Sequence, residues 1–310
     1  MSSASLNIVF PLFGIMATGY IFARFGILKP ASSEILSRFI YVAAFPALIF
    51  VSLSTVPVSE FFHWSFLGAL GGGMLSIFLI SLLVARFAFP DTLTARGLHA
   101  LTAMFSSTGY IGLPMILLIF GDEGLVPGII GAVITVSLFL PMAIVLGEVD
   151  KGQDQKHIFL TSLCSVFKNP LLIATIAGLL VSGSGWIVPQ PINAFCEILG
   201  GAFVPCALFA AGLFMASCSV KGAATEISWL IAVKLLLHPL VTWWLAYHVF
   251  ELEGILPAIA VLQASLPSGV PVFILAQQYN TFVARSSAVI VLSTAISVFT
   301  LSALLIFMEV

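Results

Sequence analysis

Ten runs of about twenty mainly apolar residues, at 5–25, 33–55, 64–86, 98–120, 125–147, 169–189, 194–218, 228–250, 255–278 and 284–308, decide what this chain can become. Each is long enough for a helix to cross the roughly 30 Å hydrocarbon layer of a bilayer. In that layer every backbone N–H and C=O has to find its partner inside the segment. The chain is 60% hydrophobic and 8% charged, against about 25% charged in a soluble domain, so no water-soluble fold could cover its apolar surface. The expectation is an all-α integral membrane protein with ten transmembrane helices. Too little chain lies between the runs to build a soluble catalytic domain.

The basic residues orient these spans. Arg24, Lys29 and Arg38 flank the first connection, Arg86 and Arg96 the third, and Lys151, Lys156 and Lys168 fill the fifth. Lys221 and Lys234 flank the seventh and Arg285 marks the ninth, while the even-numbered connections have none. Basic connections stay in the cytoplasm, so all eleven Lys and Arg residues fall on one side if both termini lie outside and 148–168 is cytoplasmic. On this reading Lys234 stretches its ammonium to the cytoplasmic face, and no Lys or Arg lies in the middle of a span. The opening MSSASLN has no basic region before its apolar run, so the first run reads as a retained helix. Cys164, Cys196, Cys206 and Cys218 lack metal-ligand spacing and read as small packing residues. No metal and no cofactor is expected.

The chain resembles itself. Displaced by 159 residues, PLFGIMATG (Pro11 to Gly19) falls on PLLIATIAG (Pro170 to Gly178), and FPALIF (Phe45 to Phe50) on VPCALF (Val204 to Phe209). A displacement of 157 puts Gly112, Leu113 and Pro114 on Gly269, Val270 and Pro271. Five spans per half is an odd number, so the second half enters the membrane upside down. The expected domains are a first five-helix repeat at 1–147, a cytoplasmic connection at 148–168, and an inverted second repeat at 169–310.

Both matched prolines interrupt spans 4 and 9. Proline removes a backbone donor and clashes with the carbonyl four residues back, and it pushes the preceding residue toward an extended conformation. Leu113 and Val270 are therefore expected to be non-helical. Irregular backbone survives at membrane depth only when protein buries it or it lines a watery cavity, and paired interruptions in two halves point to a transporter's binding site. Proline suits the first position of a helix. Pro114 and Pro271 would each open a half-helix whose free N–H groups, on residues such as Met115, Ile116, Val272 and Phe273, carry partial positive charge and suit a carboxylate. The candidate substrate-binding residues are Ser106, Ser107, Thr108, Gly112, Pro114, Gln263, Ser265, Ser268 and Pro271. His238, beside Pro239, is a candidate for proton coupling, the alternative being a neutral histidine bonded to a carbonyl.

The segments SSTGYIGLP (106–114), LFAAGLFMAS (208–217) and above all LQASLPSGVPVFILAQQYN (262–280) resemble the auxin efflux carrier family, which includes plant PIN-FORMED carriers and bacterial permeases for acids such as malonate and malate. The resemblance runs along nearly the whole chain. It implies a ten-helix fold of two inverted five-helix repeats, helices 4 and 9 crossing at their prolines, and a crossover-bearing part that moves against a scaffold in an elevator-like alternating-access cycle. It also implies a small organic anion as substrate, the lipid bilayer as surroundings, a homodimer formed through the scaffold, and no nucleic-acid partner. The family pattern N-T-G-F-x-G-x-P has asparagine where this chain has Ser107.

The alternative is a sodium- or proton-coupled symporter or antiporter of related, bile-acid-transporter-like architecture. Such proteins need buried carboxylates for the ion, whereas every Asp and Glu here falls in a connection or near a span end. An intramembrane enzyme would need a nucleophile-elbow or His-Glu-x-x-His pattern or paired central acids. The sequence has none of these.

Overall fold

The structure, a computed structural model, describes residues 3–29, 31–152, 154, 167–218 and 223–308; Cys164, Lys156, Lys221 and most of the 148–168 connection lie outside them. All regular structure in the described residues is helical. The first half contains α1 (Ser3–Arg24), α2 (Ser32–Ser54), α3 (Trp64–Ala88), α4 (Leu93–Met104), α5 (108–120) and α6 (125–150). The second contains α7 (Pro170–Ser184), α8 (Gln190–Ser217), α9 (Ala224–Val249), α10 (Leu256–Ser265), α11 (Pro271–Gln278) and α12 (Val283–Phe307). Among the described residues six helical stretches are long and apolar enough to cross a membrane: Ser32–Ser54, Val58–Ala88, Thr108–Asp150, Gln190–Ser217, Ala224–Val249 and Val283–Phe307. Large apolar side chains such as Phe10, Ile35, Leu83, Phe87, Leu180, Ile198 and Phe299 point outward. A soluble monomer rarely exposes so much apolar surface, and a lipid-facing one does.

The helices sort into two groups by packing. α1 lies along the C-terminal part of α8, and α7 along the C-terminal part of α2. α3, α4, α6, α9, α10 and α12 pack on one another as a second group. Glycine sets the closest approaches in the first group. A β-carbon at Gly19 would strike the Phe209 carbonyl, and one at Gly178 would crowd the Phe50 carbonyl. Gly19 and Gly178 are 159 residues apart, as are Phe50 and Phe209. Thus α1 meets α8 through the same pair of positions by which α7 meets α2.

Proline shapes the helix interiors in an unexpected way. Of the five π-helical turns among the described residues, four, Ile40–Ala44, Thr108–Gly112, Thr135–Phe139 and Val233–Leu237, end two residues before a proline (Pro46, Pro114, Pro141 and Pro239), and the fifth, Leu245–Val249, does not. A π-turn widens the helix by one residue. Where its bonds are recorded, the residue before proline donates five residues back, as Leu113 does to Thr108 and His238 to Val233. The wider turn keeps the proline ring off the carbonyl that it would strike in an α-helix.

This corrects the expected location of the breaks. Leu113 (φ −62°, ψ −43°) and Val270 (φ −55°, ψ −35°) are helical, not extended. Pro114 sits inside a continuous helical stretch, and the chain is extended earlier, at Phe105 (ψ 106°), and in the second half at Leu266 (ψ 152°). Pro271 is the first residue of α11, as expected.

Candidate functional site

The two extended segments meet. The Ser107 N–H donates to the Pro267 carbonyl (2.9 Å) and the Gly269 N–H to the Phe105 carbonyl (3.0 Å), making an antiparallel bridge between Ser106 and Ser268. Small residues allow the approach: a β-carbon at Gly269 would fall 2.8 Å from the Phe105 ring. The Ser268 hydroxyl ties the pair to α4 through the Thr102 carbonyl (2.9 Å), and its N–H is held by Ser293 Oγ on α12 (3.2 Å).

Beside this bridge lies a small cavity of about 50 Å³. One wall is aromatic and apolar, from Tyr41 and Phe45 on α2, Leu171 on α7 and Phe203 on α8; the other is the paired break itself, Phe105 to Tyr110 with Gly269 and Pro271, and α6. The cavity therefore sits on the seam between the two helix groups. A second, open cleft of about 590 Å³ lies on the same seam, between Thr55 and Glu197 on one side and Leu117, Asp122 and Val126 on the other.

The chemistry of the small cavity comes from the start of α5. Among the described residues the N–H groups of Thr108, Gly109 and Tyr110 have no backbone acceptor; the Ser107 carbonyl receives only Ile111 and Gly112, each at 3.0 Å. The side chain of Ser107 does not cap the helix. Nor does the hydroxyl of Ser107 or Thr108 bond to any other described residue. Ser107, Thr108, Gly109 and Tyr110 thus line a mainly apolar cavity at the positive end of a helix, an arrangement that favours an anion. The second break is closed by comparison, since Val272 and Phe273 donate to Gly269 (3.3 Å) and Val270 (3.0 Å).

The sequence-derived candidates separate accordingly. Ser106, Ser107, Thr108 and Pro271 line the cavity. Gly112 packs on Leu266, and Ser265 bonds back to the Val261 carbonyl (2.7 Å) within its own helix. Pro114 and Ser268 are buried outside the lining. Gln263 is fully buried, with Nε2 on the Pro127 carbonyl (3.0 Å) and its amide against Gly131. Replacing it with leucine removes that bond together with a buried Oε1 that has no partner among the described residues, and the expected result is a stability change of no more than about 1 kcal/mol with carboxylate affinity retained, read as a melting shift beside a binding isotherm.

One residue was misplaced by sequence reasoning. Lys234 does not reach the cytoplasmic face: it is fully buried, and its Nζ donates to Ser106 Oγ (2.7 Å) at the paired break. The sequence does contain the signal. α9 begins at Ala224, which puts Lys234 ten residues or about 15 Å into the helix, half-way through a bilayer. His238 is also fully buried and bonds to Lys234, not to a carbonyl. A second polar cluster joins α4, α9 and α12, where Glu226 takes His99 Nδ1 (2.8 Å) and Arg285 (3.1 Å), and Arg285 also holds Asp91 (2.7 Å). Burial pushes the Asp91 carboxyl up, but its bonds from Arg285 and the Thr92 amide, with the charges of Arg285 and Arg96, outweigh that and hold it below the usual carboxylate range.

A family model described as membrane transport protein matches residues 4–305. The chain belongs to that family. This is the family of the auxin efflux carriers, and it makes the chain a multi-pass membrane transporter. A Rhizobium meliloti protein named "Putative malonate transporter" is 29% identical over 305 residues, covering 96% of this chain and 94% of that protein. Auxin efflux carrier component 8 of Arabidopsis thaliana is 33% identical over 118 residues, 36% of this chain and 32% of the plant protein. The lysosomal cholesterol signaling protein of Mus musculus is 25% identical over 323 residues, 95% of this chain but 37% of the mouse protein. Family membership thus fixes transport as the activity and leaves the cargo to the site.

Proposed function

We propose that this family member is a secondary carrier for a small organic carboxylate, held at the seam cavity and moved by alternating access as one helix group slides past the other. The observation that carries the cargo is the set of unpartnered Thr108, Gly109 and Tyr110 amides with the Ser107 and Thr108 hydroxyls. Anions are stabilised at such a helix end without a formal positive charge in contact. The aromatic wall of Tyr41, Phe45 and Phe203 suits the carbon part of the acid, and the malonate in the name of the Rhizobium relative is a compatible size class. At about 50 Å³ the cavity holds only a water molecule or two, so the groups must part to admit an acid. The larger cleft on the same seam supports that motion.

The architecture we infer is ten spans in two inverted repeats, 1–147 and 169–310, with α4/α5 and α10/α11 as the broken helices. The reciprocal contacts of Gly19 with Phe209 and of Gly178 with Phe50 support it, because an inverted pair of repeats exchanges helices in that manner. Both termini would lie outside and 148–168 inside. In a cysteine-free background, Gln153→Cys is expected to react with an impermeant maleimide only after permeabilisation, and labelling of intact cells would overturn this topology. The cargo is tested with purified protein in liposomes, assayed for exchange of labelled malonate, succinate, benzoate and indole-3-acetate. Exchange of at least one above protein-free liposomes is expected; exchange of none would sink the reading.

A further inference from the structure

Lys234 is the one fully buried Lys or Arg among the described residues. Its Nζ has three neighbours: Ser106 Oγ at 2.7 Å, the Ala264 carbonyl oxygen at 2.8 Å and His238 Nδ1 at 2.9 Å. None is a carboxylate. The charged groups on the helices packed against this turn are Arg96 and His99 on α4, Glu226 on α9 itself and Arg285 on α12; α10 has none. Glu226 is committed to His99 and Arg285, Arg96 acts on Asp91 and Asp150, and Glu226 is eight residues from Lys234 along the helix, about 12 Å.

The place that the amine occupies is informative. Ala264 lies in the last turn of α10, where helix carbonyls lack partners and carry the negative end of the dipole. Carriers with broken helices hold their coupling cation at such ends. Here a side chain of the protein fills the position, bonded both to the Ala264 carbonyl and to Ser106, which lines the anion-suited cavity.

Its contacts are satisfied in two protonation states. As an ammonium, Nζ donates to Ser106, to Ala264 and to an unprotonated Nδ1 of neutral His238. As an amine, it donates to the first two and accepts from Nδ1–H of the other tautomer. The states differ by one proton and a tautomer, and no heavy atom needs to move. His238 Nε2 has no partner among the described residues, so no bond on that nitrogen fixes the tautomer. Ser106 Oγ accepts from Lys234, and its own hydrogen has no acceptor in the described chain, so the hydroxyl can donate to whatever enters the cavity that it lines.

We propose that Lys234, with His238, is the proton-coupling site of the carrier: Nζ takes up one proton when an organic anion occupies the cavity and releases it when the anion leaves, so that one proton accompanies each anion and no metal cation is used. This rests on the carboxylate-carrier reading above. The proton comes from water on the side of entry, bonds to the Nζ lone pair, and returns to water on the other side; nothing is oxidised or reduced. The bound complex has one unit less negative charge than the free anion, which eases its passage through a low-dielectric environment.

The test uses the full chain in liposomes, in sodium-free buffer with the membrane potential clamped at zero, and labelled malonate with the other acids of the panel. A gradient of one pH unit, acid outside, is expected to drive wild-type accumulation approaching about tenfold, after subtraction of protein-free liposomes. Lys234→Arg keeps a charge that does not come off at working pH. Whatever rate of exchange it keeps at zero gradient, it is expected to lose the response to pH. If that variant does not fold, the wild-type measurement decides alone. Wild-type exchange that ignores the gradient, or that requires sodium, overturns the proposal while leaving the carrier reading standing. A folded Lys234→Arg with the wild-type gradient response also overturns it and makes the lysine a brace. No wild-type exchange of any acid removes the carrier reading and the coupling site together.

Discussion

Carboxylate affinity is expected to fall by about 100-fold or more in the double variant Ser107→Ala, Thr108→Val. Ser107 and Thr108 both line the cavity, so each hydroxyl is available to donate to a bound carboxylate, and a hydrogen bond to a charged group contributes about 1.5–3 kcal/mol. Two such bonds correspond to roughly two to four powers of ten in the dissociation constant. Neither hydroxyl is bonded within the described chain, so the melting temperature without substrate should scarcely change. Pro114→Ala is the contrasting variant. Had that proline created the half-helix end, its replacement would close the site. Because α5 already begins at Thr108, the free amides survive and affinity should stay within about a factor of two. An unaffected double variant, or a Pro114→Ala protein that no longer binds, would move the carboxylate elsewhere.

Gly212→Val is expected to produce the largest loss of stability. A β-carbon at Gly212 would overlap the Met16 carbonyl and fall 2.9 Å from the Tyr20 nitrogen. These are backbone atoms in the middle of α1 that cannot rotate away, so α1 and α8 must separate. Overpacking ordinarily costs about 1–3 kcal/mol. Here the upper end is expected, together with loss of the dispersion contacts that hold membrane helices together. Gly14, on the same α1, has open space around its β-position. Gly14→Ala should therefore be neutral or raise stability by a few tenths to about 1 kcal/mol. Equal melting temperatures for the two variants in detergent would show that the α1–α8 contact is looser than described.

Much of this molecule is legible in its sequence because hydrocarbon leaves the backbone few options. The apolar runs mark the helices to within a few residues, as at 64–86 against Trp64–Ala88 and 284–308 against Val283–Phe307. The interruptions near Pro114 and Pro271 were legible as a pair, but their position was not. A proline in an apolar run can be absorbed by extending the backbone before it or by widening the helix. Only tertiary packing chooses, and at Pro114 it chose widening. Lys234 was missed for a different reason. Starting the span at 228 instead of Ala224 shortened its apparent depth by four residues or about 6 Å, enough to make a reach to the surface look natural. The open amides at Thr108 to Tyr110 leave no trace in the side-chain sequence.

The pairing of π-turn and proline constrains how such helices can change over generations. A π-turn is one residue more than an α-turn would need, so losing that residue swings everything beyond it by about 100° around the helix axis. In α9 a deletion between Val233 and Leu237 would drive Pro239 into an unrelieved carbonyl. Losing the proline alone leaves a widened turn with nothing to relieve. At these four turns the proline and the extra residue are expected to be coupled, although each also occurs alone, as in the π-turn Leu245–Val249 and at Pro11 inside α1. Inserting or deleting a residue within one of these turns is therefore expected to be tolerated less well than a substitution at the same place.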